Sequence, residues 1–178
     1  MSEVEQVCKV AAGEDDAHSS RWSTYQKLGD EALAVGQYTA GMRFCNVEVP
    51  QGGQIVRATL RICAHSRGLS GQVTAGLRAE AADNPGPFTS VHRTNALTMT
   101  TASQDWSWDG ATWEADAWYE SPDIGSLIQE VIDRPGWSPG NAIVIAYVAS
   151  DYDGSDRKFW AYEGSPAKAA ELVIVYQP

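Results

Sequence analysis

Three aspartates stand close together in the segment DYDGSD, residues 151–156: Asp151, Asp153 and Asp156. Calcium takes about six to eight oxygen ligands, and the carboxylates of one turn can supply several of them. The segment lacks the distal glutamate that completes an EF-hand loop, and an ordinary solvated turn has the same composition. We therefore expect a turn here, with a structural calcium ion as the alternative, and no other cofactor.

Aromatic side chains that could stack on sugar rings occur in two places. The early polar stretch contains Trp22 and Tyr25, and the segment 103–120 contains tryptophans at positions 106, 108, 113 and 118. Trp106 and Trp108 are two residues apart, so both point to the same face of a strand. A sandwich interior also needs large rings, and we favour that explanation for the later tryptophans. The candidates for glycan stacking are Trp22, Tyr25, Trp106 and Trp108.

Histidines are scattered along the chain. His18, His65 and His92 lie in separate turn-rich stretches, without a second metal ligand at zinc-site spacing. Cys63 and His65 would be the one local nucleophile and base pair, but residues two apart on a strand only share a face. We expect neither a zinc site nor a cysteine nucleophile.

The three cysteines are Cys8, Cys45 and Cys63, an odd number and too few for a disulfide framework. If the strands on either side of PQGG pair as a hairpin around residues 51–53, Cys45 lies opposite residue 58 or 59, away from Cys63. We expect three buried free thiols, as in a reducing compartment.

Four carboxylates in the tryptophan-rich segment, Asp105, Asp109, Glu114 and Asp116, could include the acid and base of a glycoside hydrolase. Their separation in space cannot be obtained from sequence spacing. The sequence contains no Gly-x-Ser-x-Gly elbow, phosphate-binding loop or dinucleotide fingerprint. We expect a protein that is not an enzyme.

A short helix and a buried strand flank the loop RPGWSPGN, residues 134–141. Apolar residues at helical spacing predict a helix over about residues 122–133, with Ser121 as its cap and Pro122 in its first turn. Pro135 is expected to end the helix and Gly136 to take a positive φ angle. The apolar run NAIVIAYVAS predicts a core strand, and Trp137 should cover the seam between helix and sheet.

About eight to ten short strands separated by turns predict an all-β, antiparallel jelly-roll β-sandwich. The polar stretches around residues 11–22 and 26–36 are read as loops. The long irregular stretch 83–103 is expected to include a short helix. A length of 178 residues indicates a single domain over residues 1–178, with residues 1–11 as a first strand or arm.

The negative net charge argues against a nucleic-acid partner. Lysine and arginine number 13 against 23 acidic residues, a net charge of −10, so we expect no nucleic-acid partner because such proteins need clustered positive charge. The longest apolar run is about ten residues, against the roughly 20 that span a bilayer, and the amino terminus does not resemble a signal peptide. We expect no membrane association.

Three longer stretches carry a resemblance: GMRFCNVEVPQGGQIVRATLRI, the run from TTASQDW to RPGWSPGNAIVIAYV, and SPAKAAELVIVY. Together they resemble the jelly-roll domain of virion proteins in tailed bacteriophages and of large bacterial surface proteins, which is similar to carbohydrate-binding modules. The similarity covers about residues 12–176. Its motif residues look like turns, helix stops and core positions, so the resemblance is a fold signature first.

The resemblance implies a non-catalytic virion structural protein of a tailed phage. A capsid decoration or cement protein on the particle exterior is the first expectation, and a tail-associated role is the next. Its partners would be the major capsid protein or other virion proteins, it would form a dimer or trimer, and it would assemble in the host cytoplasm. The alternative is a carbohydrate-binding module or adhesin domain that binds glycans.

Overall fold

The fold is an antiparallel jelly-roll β-sandwich with one short α-helix. A computed structural model describes residues 2–66, 71–110 and 113–178. The strands are β1 (Val4–Lys9), β2 (Asp16–Ser20), β3 (Gln26–Lys27), β4 (Ala32–Val35), β5 (Tyr38–Val47), β6 (Gln54–Cys63), β7 (Gln72–Ala79), β8 (Gln104–Asp105), β9 (Trp108–Asp109), β10 (Trp118–Glu120), β11 (Asn141–Tyr152), β12 (Arg157–Trp160) and β13 (Glu171–Gln177). The helix α1 is Gly125–Ile132, and short 3-10 turns cover Gly13–Asp15 and Pro166–Lys168.

Two sheets face each other. One has four strands in the order β1-β13-β6-β10, and the other has seven strands, six of them in the order β3-β2-β5-β11-β7-β8 with β9 also pairing with β7. The first strand of the chain therefore lies beside the last, and the chain passes back and forth between the sheets, as in a jelly roll. A two-stranded ribbon of β12 and β4 closes one side.

The core lies between the two sheets and consists of the inward residues of each strand. On β7, for example, Val73, Ala75, Leu77 and Ala79 are buried, whereas Thr74, Gly76 and Arg78 alternate with them on the outer face. β11 is buried along most of its length because its outer face is also partly covered.

The helix α1 covers one end of the sandwich with Leu127, Ile128, Val131 and Ile132, all fully buried. It begins later than predicted, and Ser121 is not its cap, because the Ser121 hydroxyl accepts the N–H of Leu60 at 2.9 Å. Asp123 fills the turn before the helix and accepts the N–H groups of Gly125 and Ala58, each at 2.9 Å.

The loop RPGWSPGN is part of the core architecture. Trp137 is 2% exposed, as predicted, and its indole N–H donates to the carbonyl of Val49 at 2.9 Å. The prediction for Gly136 is wrong: it has no positive φ. A Cβ there would lie 2.6 Å from Cγ of Asp83, so a larger residue would displace the carboxylate that pairs with Arg134.

Two further expectations are corrected. β5 and β6 do not form a hairpin, because the turn at residues 50–53 carries the chain from one sheet to the other. The stretches predicted as polar loops contain β2 and β4, and Asp16, His18 and Ser19 on β2 are all buried. The stretch 83–103 contains no helix in the structure.

Within the described ranges 2–66, 71–110 and 113–178, no helix is long and apolar enough to cross a membrane.

Candidate functional site

The long segment between β7 and β8 crosses the outer face of the seven-stranded sheet. Phe88 from this segment packs with Ala17 of β2 and Val144 of β11 in a second, smaller apolar cluster. The segment lies so close to β5 that a Cβ on Gly41 would come 2.7 Å from the Phe88 ring. The Thr94 hydroxyl donates to the carbonyl of Thr39 at 2.7 Å. Part of the sheet face is thereby covered.

The uncovered part is a groove, which we call the sheet groove. It consists of a cavity of about 420 Å³ and a second of about 230 Å³, and both are lined by Met99 and Val148. The larger cavity is of the size that suits small-molecule ligands, and the smaller one extends it. The lining residues come from separate parts of the chain: Arg21, Thr39, Thr74, Ala75, Gly76, Arg78, Thr94, Asn95, Met99, Ser103, Asp105, Val148, Ala149 and Ser150.

The floor of the sheet groove is formed by the outer side chains of β7 and β11. Thr74, Arg78 and Ser150 contribute hydroxyl and guanidinium groups, and Val148 contributes apolar surface. At Gly76 a Cβ would lie 3.1 Å from the carbonyl of Gln104, so a side chain at this position would press on the edge strand β8. The floor therefore combines a few polar groups with small residues, which leaves room above the backbone.

The walls of the sheet groove are held in place by hydrogen bonds to the backbone. Arg21 donates to the carbonyls of Ser150 at 2.7 Å and Gly36 at 3.3 Å. Asn95 donates to the carbonyls of Ser20 at 2.8 Å and Ser23 at 2.9 Å. These contacts fix the turn after β2 against the segment that follows β7, so the groove is largely preformed.

Trp22 stands beside the sheet groove as an exposed aromatic. Its side chain is 65% exposed, the Arg21 guanidinium lies 5.4 Å from its ring centre, and the Tyr152 ring centre is 5.9 Å away. Tyr25, on the same turn, is also 65% exposed. Both stacking candidates of this turn are therefore exposed, as stacking on a ligand requires.

Trp106 and Trp108 are not available for stacking on a ligand. Trp106 is buried and stacks on Tyr147, with ring centres 5.1 Å apart, and the half-buried Trp108 donates to the Tyr147 hydroxyl at 2.9 Å. That hydroxyl donates in turn to the Trp106 carbonyl at 2.6 Å, and burial raises its pKa. Trp113 and Tyr119 complete the aromatic cluster. The interior role that the sequence favoured is confirmed for Trp106, Trp108 and Trp113. It is wrong for Trp118, which is 38% exposed and lies under the Arg61 guanidinium, 5.4 Å from its ring centre.

The three aspartates of the candidate calcium turn bond to different partners. Asp153 accepts the N–H of Gln72 at 2.8 Å, and this bond lowers the pKa of its carboxyl. Asp156 accepts the N–H of Gln37 at 2.6 Å, and Asp151 accepts the N–H of Tyr152 at 2.9 Å. In the part of the chain that the structure describes, no three His, Cys, Asp or Glu side chains gather as metal ligands. Asp153 and Asp156 thus join separate backbone segments, whereas Asp151 bonds to its own neighbour.

The cysteines do not resemble nucleophiles. All three are free, Cys8 and Cys63 are buried, and Cys45 is half-buried, where full burial was expected. Burial raises the pKa of all three thiols, that of Cys8 to about 11, whereas reactive cysteines have a lowered pKa.

His65 and Asp116, two of the candidate catalytic residues, are engaged in structural contacts. His65 lies 3.4 Å from Glu31 and packs edge-on against Trp160. Asp116, with a left-handed φ of 64°, accepts the Trp160 indole N–H at 2.9 Å and the Lys168 ammonium at 2.8 Å. Of the four candidate hydrolase carboxylates, Asp105 is the one that lines the sheet groove.

Comparisons with known proteins add no further identification: no protein-family model and no curated protein matches this chain.

Sequence reasoning missed most of the sheet groove. Thr74, Gly76 and Arg78 alternate with buried residues on β7, and this period-2 pattern was the available signal for a polar outer face. Arg21 and Thr39 lie in stretches without a strong pattern. Two buried carboxylates, Asp15 and Asp16, were also missed because the sequence GEDD resembles a solvated turn.

Proposed function

We propose that this chain is a non-catalytic binding protein whose sheet groove holds a glycan, and that it is carried on the exterior of a tailed-phage particle. The sheet groove is the observation that supports the first part. Sugars present hydroxyl groups around a weakly apolar ring, so their sites combine a few fixed polar groups with aromatic or aliphatic surface. Arg78, Thr74, Ser150 and Val148 provide that combination on a rigid sheet.

Trp22 extends this surface beyond the rim. A sugar unit that leaves the groove beside Arg21 would meet the exposed indole face, where stacking contributes to affinity. Trp22 and Tyr25 therefore remain the proposed aromatic contacts, and the groove supplies the polar ones.

The first test is a glycan array followed by titration of the best ligand. Arg78→Ala should weaken binding by at least about tenfold if the guanidinium contacts the glycan, and Trp22→Ala should do the same at the rim. Arg57→Ala is the matched control, because Arg57 is an exposed arginine on the opposite sheet. Equal affinities for wild type, Arg78→Ala and Trp22→Ala would contradict the groove as the glycan site.

The virion assignment is supported by the sequence resemblance, which implied the sandwich that the chain adopts. On a particle surface this protein would act as a decoration or cement protein bound to the major capsid protein, with attachment to the tail as the second location. Weak contacts at each site would be multiplied by copy number. Its net charge of −10 would keep an exposed coat of such proteins soluble.

Quantitative mass spectrometry of purified particles tests the location. On the order of hundreds of copies per particle would support a decoration protein on the head, and a few copies would support the tail. Absence from particles would contradict the virion assignment without affecting the glycan test, so the two parts of the proposal fail independently.

A further inference from the structure

β1 is an edge strand with an open side. Among the described residues it pairs with β13 and with no other strand. The bond from Val10 N–H to the Ala170 carbonyl, at 3.0 Å, continues the β1 and β13 register. Hydrogen bonds in an antiparallel pair come from alternate residues, so the even-numbered residues of β1 bond to β13. The N–H and C=O groups of Glu5, Val7 and Lys9 therefore point to the open side.

The same three residues present their side chains on the outer face of the four-stranded sheet. All three are exposed, and Val7 is 50% exposed, which is unusual for a valine on a strand. Val7 lies opposite Val173 of β13, which lies opposite Thr59 of β6. Val7 and Val173 thus form a short apolar row that ends at the open edge, and the polar Thr59 lies beyond them.

A row of alternating charges runs beside the apolar row, across the same face of the four-stranded sheet. Glu120 of β10, Arg61 of β6, Glu171 of β13 and Lys9 of β1 lie on successive neighbouring strands. Arg61 contacts Glu171 at 2.7 Å and Glu120 at 3.8 Å, and Lys9 contacts Glu171 at 2.8 Å. The row reads minus, plus, minus, plus, and it stops at the edge with Lys9.

On the other side of Val7, the residue at the open edge is negatively charged instead of positively charged. Glu5 of β1 pairs with Arg57 of β6 at 3.5 Å, so this row ends at the edge with a negative charge. Because β1 carries minus, apolar and plus at positions 5, 7 and 9, an antiparallel copy of itself centred on Val7 matches every position. Glu5 would face Lys9 of the second copy, Val7 would face Val7, and Lys9 would face Glu5.

We propose that β1 pairs with β1 of a second copy of this chain, across a two-fold axis at Val7, and joins the two four-stranded sheets. The edge supplies unpaired backbone groups in the required phase. Opposite charges placed across the new strand pair continue both charged rows, and facing valines bury the apolar row. The interface is isologous, so it closes at a dimer, and it leaves both sheet grooves free because they lie on the other sheet.

A charge-swap experiment tests this arrangement in solution. Glu5→Lys would place two lysines face to face at each charged contact, and Lys9→Glu would place two glutamates there, so each variant alone should lose self-association in sedimentation velocity. An equimolar mixture should regain it, because one edge of the mixed dimer carries two lysines and the other carries two glutamates, so each of the two charged contacts pairs a lysine with a glutamate. Lys158→Glu is the control, since it makes the same charge change at an exposed lysine on β12.

Circular dichroism of each variant establishes that it is folded before association is measured. A wild-type chain that stays monomeric over a wide concentration range would overturn the proposal. It would also be overturned by single variants that associate as wild type does, or by a mixture that stays monomeric.

Val7→Cys provides a second measurement that does not depend on charge. A hydrogen-bonded antiparallel pair places facing Cα atoms about 5.5 Å apart, within disulfide range. The variant should therefore form a covalent dimer under mild oxidation, and Lys158→Cys should not. Absence of the crosslinked dimer in folded Val7→Cys protein would overturn the proposal.

Discussion

The indole N–H of Trp137 donates to the carbonyl of Val49, 2.9 Å away. Val49 lies just before the turn that crosses from one sheet to the other, and Trp137 lies just after α1, so this bond joins the helix exit to the corner of the sandwich. Gln129 reinforces the corner, because its side chain accepts the N–H of Ile55 at 2.8 Å and donates to the carbonyl of Gly53 at 3.1 Å.

Trp137→Phe should keep most of the buried ring and lose the bond to Val49. A buried carbonyl left without its donor costs about 1–3 kcal/mol, so we expect the free energy of unfolding in urea to fall by that amount. Trp137→Ala also leaves a cavity and should cost about 3–5 kcal/mol. Equal stability of Trp137→Phe and wild type would show that the bond does not fix the corner.

Asp16 should make the protein less stable as pH rises. Its carboxyl is 2% exposed and accepts the N–H of Tyr162 at 2.9 Å, and burial raises its pKa from 3.8 to about 7. Folding thus favours the protonated form. The stability it provides is complete below the unfolded pKa of 3.8 and is lost as pH rises through about 7.

Asp16→Asn removes this titration while keeping an oxygen for Tyr162. We expect the free energies of unfolding of the variant and the wild type to differ little near pH 4. Between about pH 4 and pH 7 the variant should become more stable than the wild type by about 1.4 kcal/mol per pH unit. Urea unfolding at several pH values measures the difference. A stability difference that is constant with pH would mean that Asp16 is ionised in the folded protein.

His18 should act in the opposite direction. Its Nδ1 accepts the N–H of Ala34 at 3.0 Å and its Nε2 donates to Asp30 at 3.0 Å, so the buried ring is neutral. Burial lowers its pKa, although Asp30 opposes this effect. The stability that the neutral His18 ring provides is complete above the ordinary pKa of 6.5 and is lost as pH falls. The reason is that a proton on Nδ1 would face the N–H donor of Ala34.

Hydrogen exchange at the Ala34 amide measures this effect. We expect protection at Ala34 to fall as pH is lowered below the ordinary histidine pKa of 6.5, once the expected change in intrinsic exchange rate has been removed. His18→Asn, whose side-chain oxygen can accept the same N–H, should retain protection in acid. Protection that is independent of pH in the wild type would contradict the neutral tautomer.

Gly41→Ala should loosen the segment that covers the seven-stranded sheet. The new methyl group would lie 2.5 Å from Cγ2 of Thr94 and 2.7 Å from the Phe88 ring, and such overpacking costs about 1–3 kcal/mol. Gly86→Ala is the control, because a Cβ at Gly86 meets no atom within 4 Å. The prediction is wrong if thermal unfolding shows the same loss for both variants.

Segments with a strong apolar pattern were predictable from the sequence. The helix α1, the core strand β11 and the buried position of Trp137 follow from periodicity and turn residues alone, and so does the sandwich class. β2 was missed because its buried residues are polar and are stabilised by distant partners, as Asp16 is by Tyr162. No local pattern specifies such a partner.

The sheet groove could not be predicted for a related reason. Its floor follows from alternation on β7, but its walls come from Arg21, Asn95 and Asp105, which only the topology brings to one face. The PQGG turn shows the same limit, because a hairpin and a crossing between two sheets use the same turn residues.

The most direct test of the sheet groove is a two-dimensional amide spectrum of the assigned protein, recorded while the best array ligand is added. We predict that the amides that shift are those of the groove, centred on Thr74, Arg78, Val148 and Ser150, and that Arg78→Ala abolishes the shifts at the same ligand concentration. Shifts confined to another face, with none in the groove, would contradict the glycan-binding proposal.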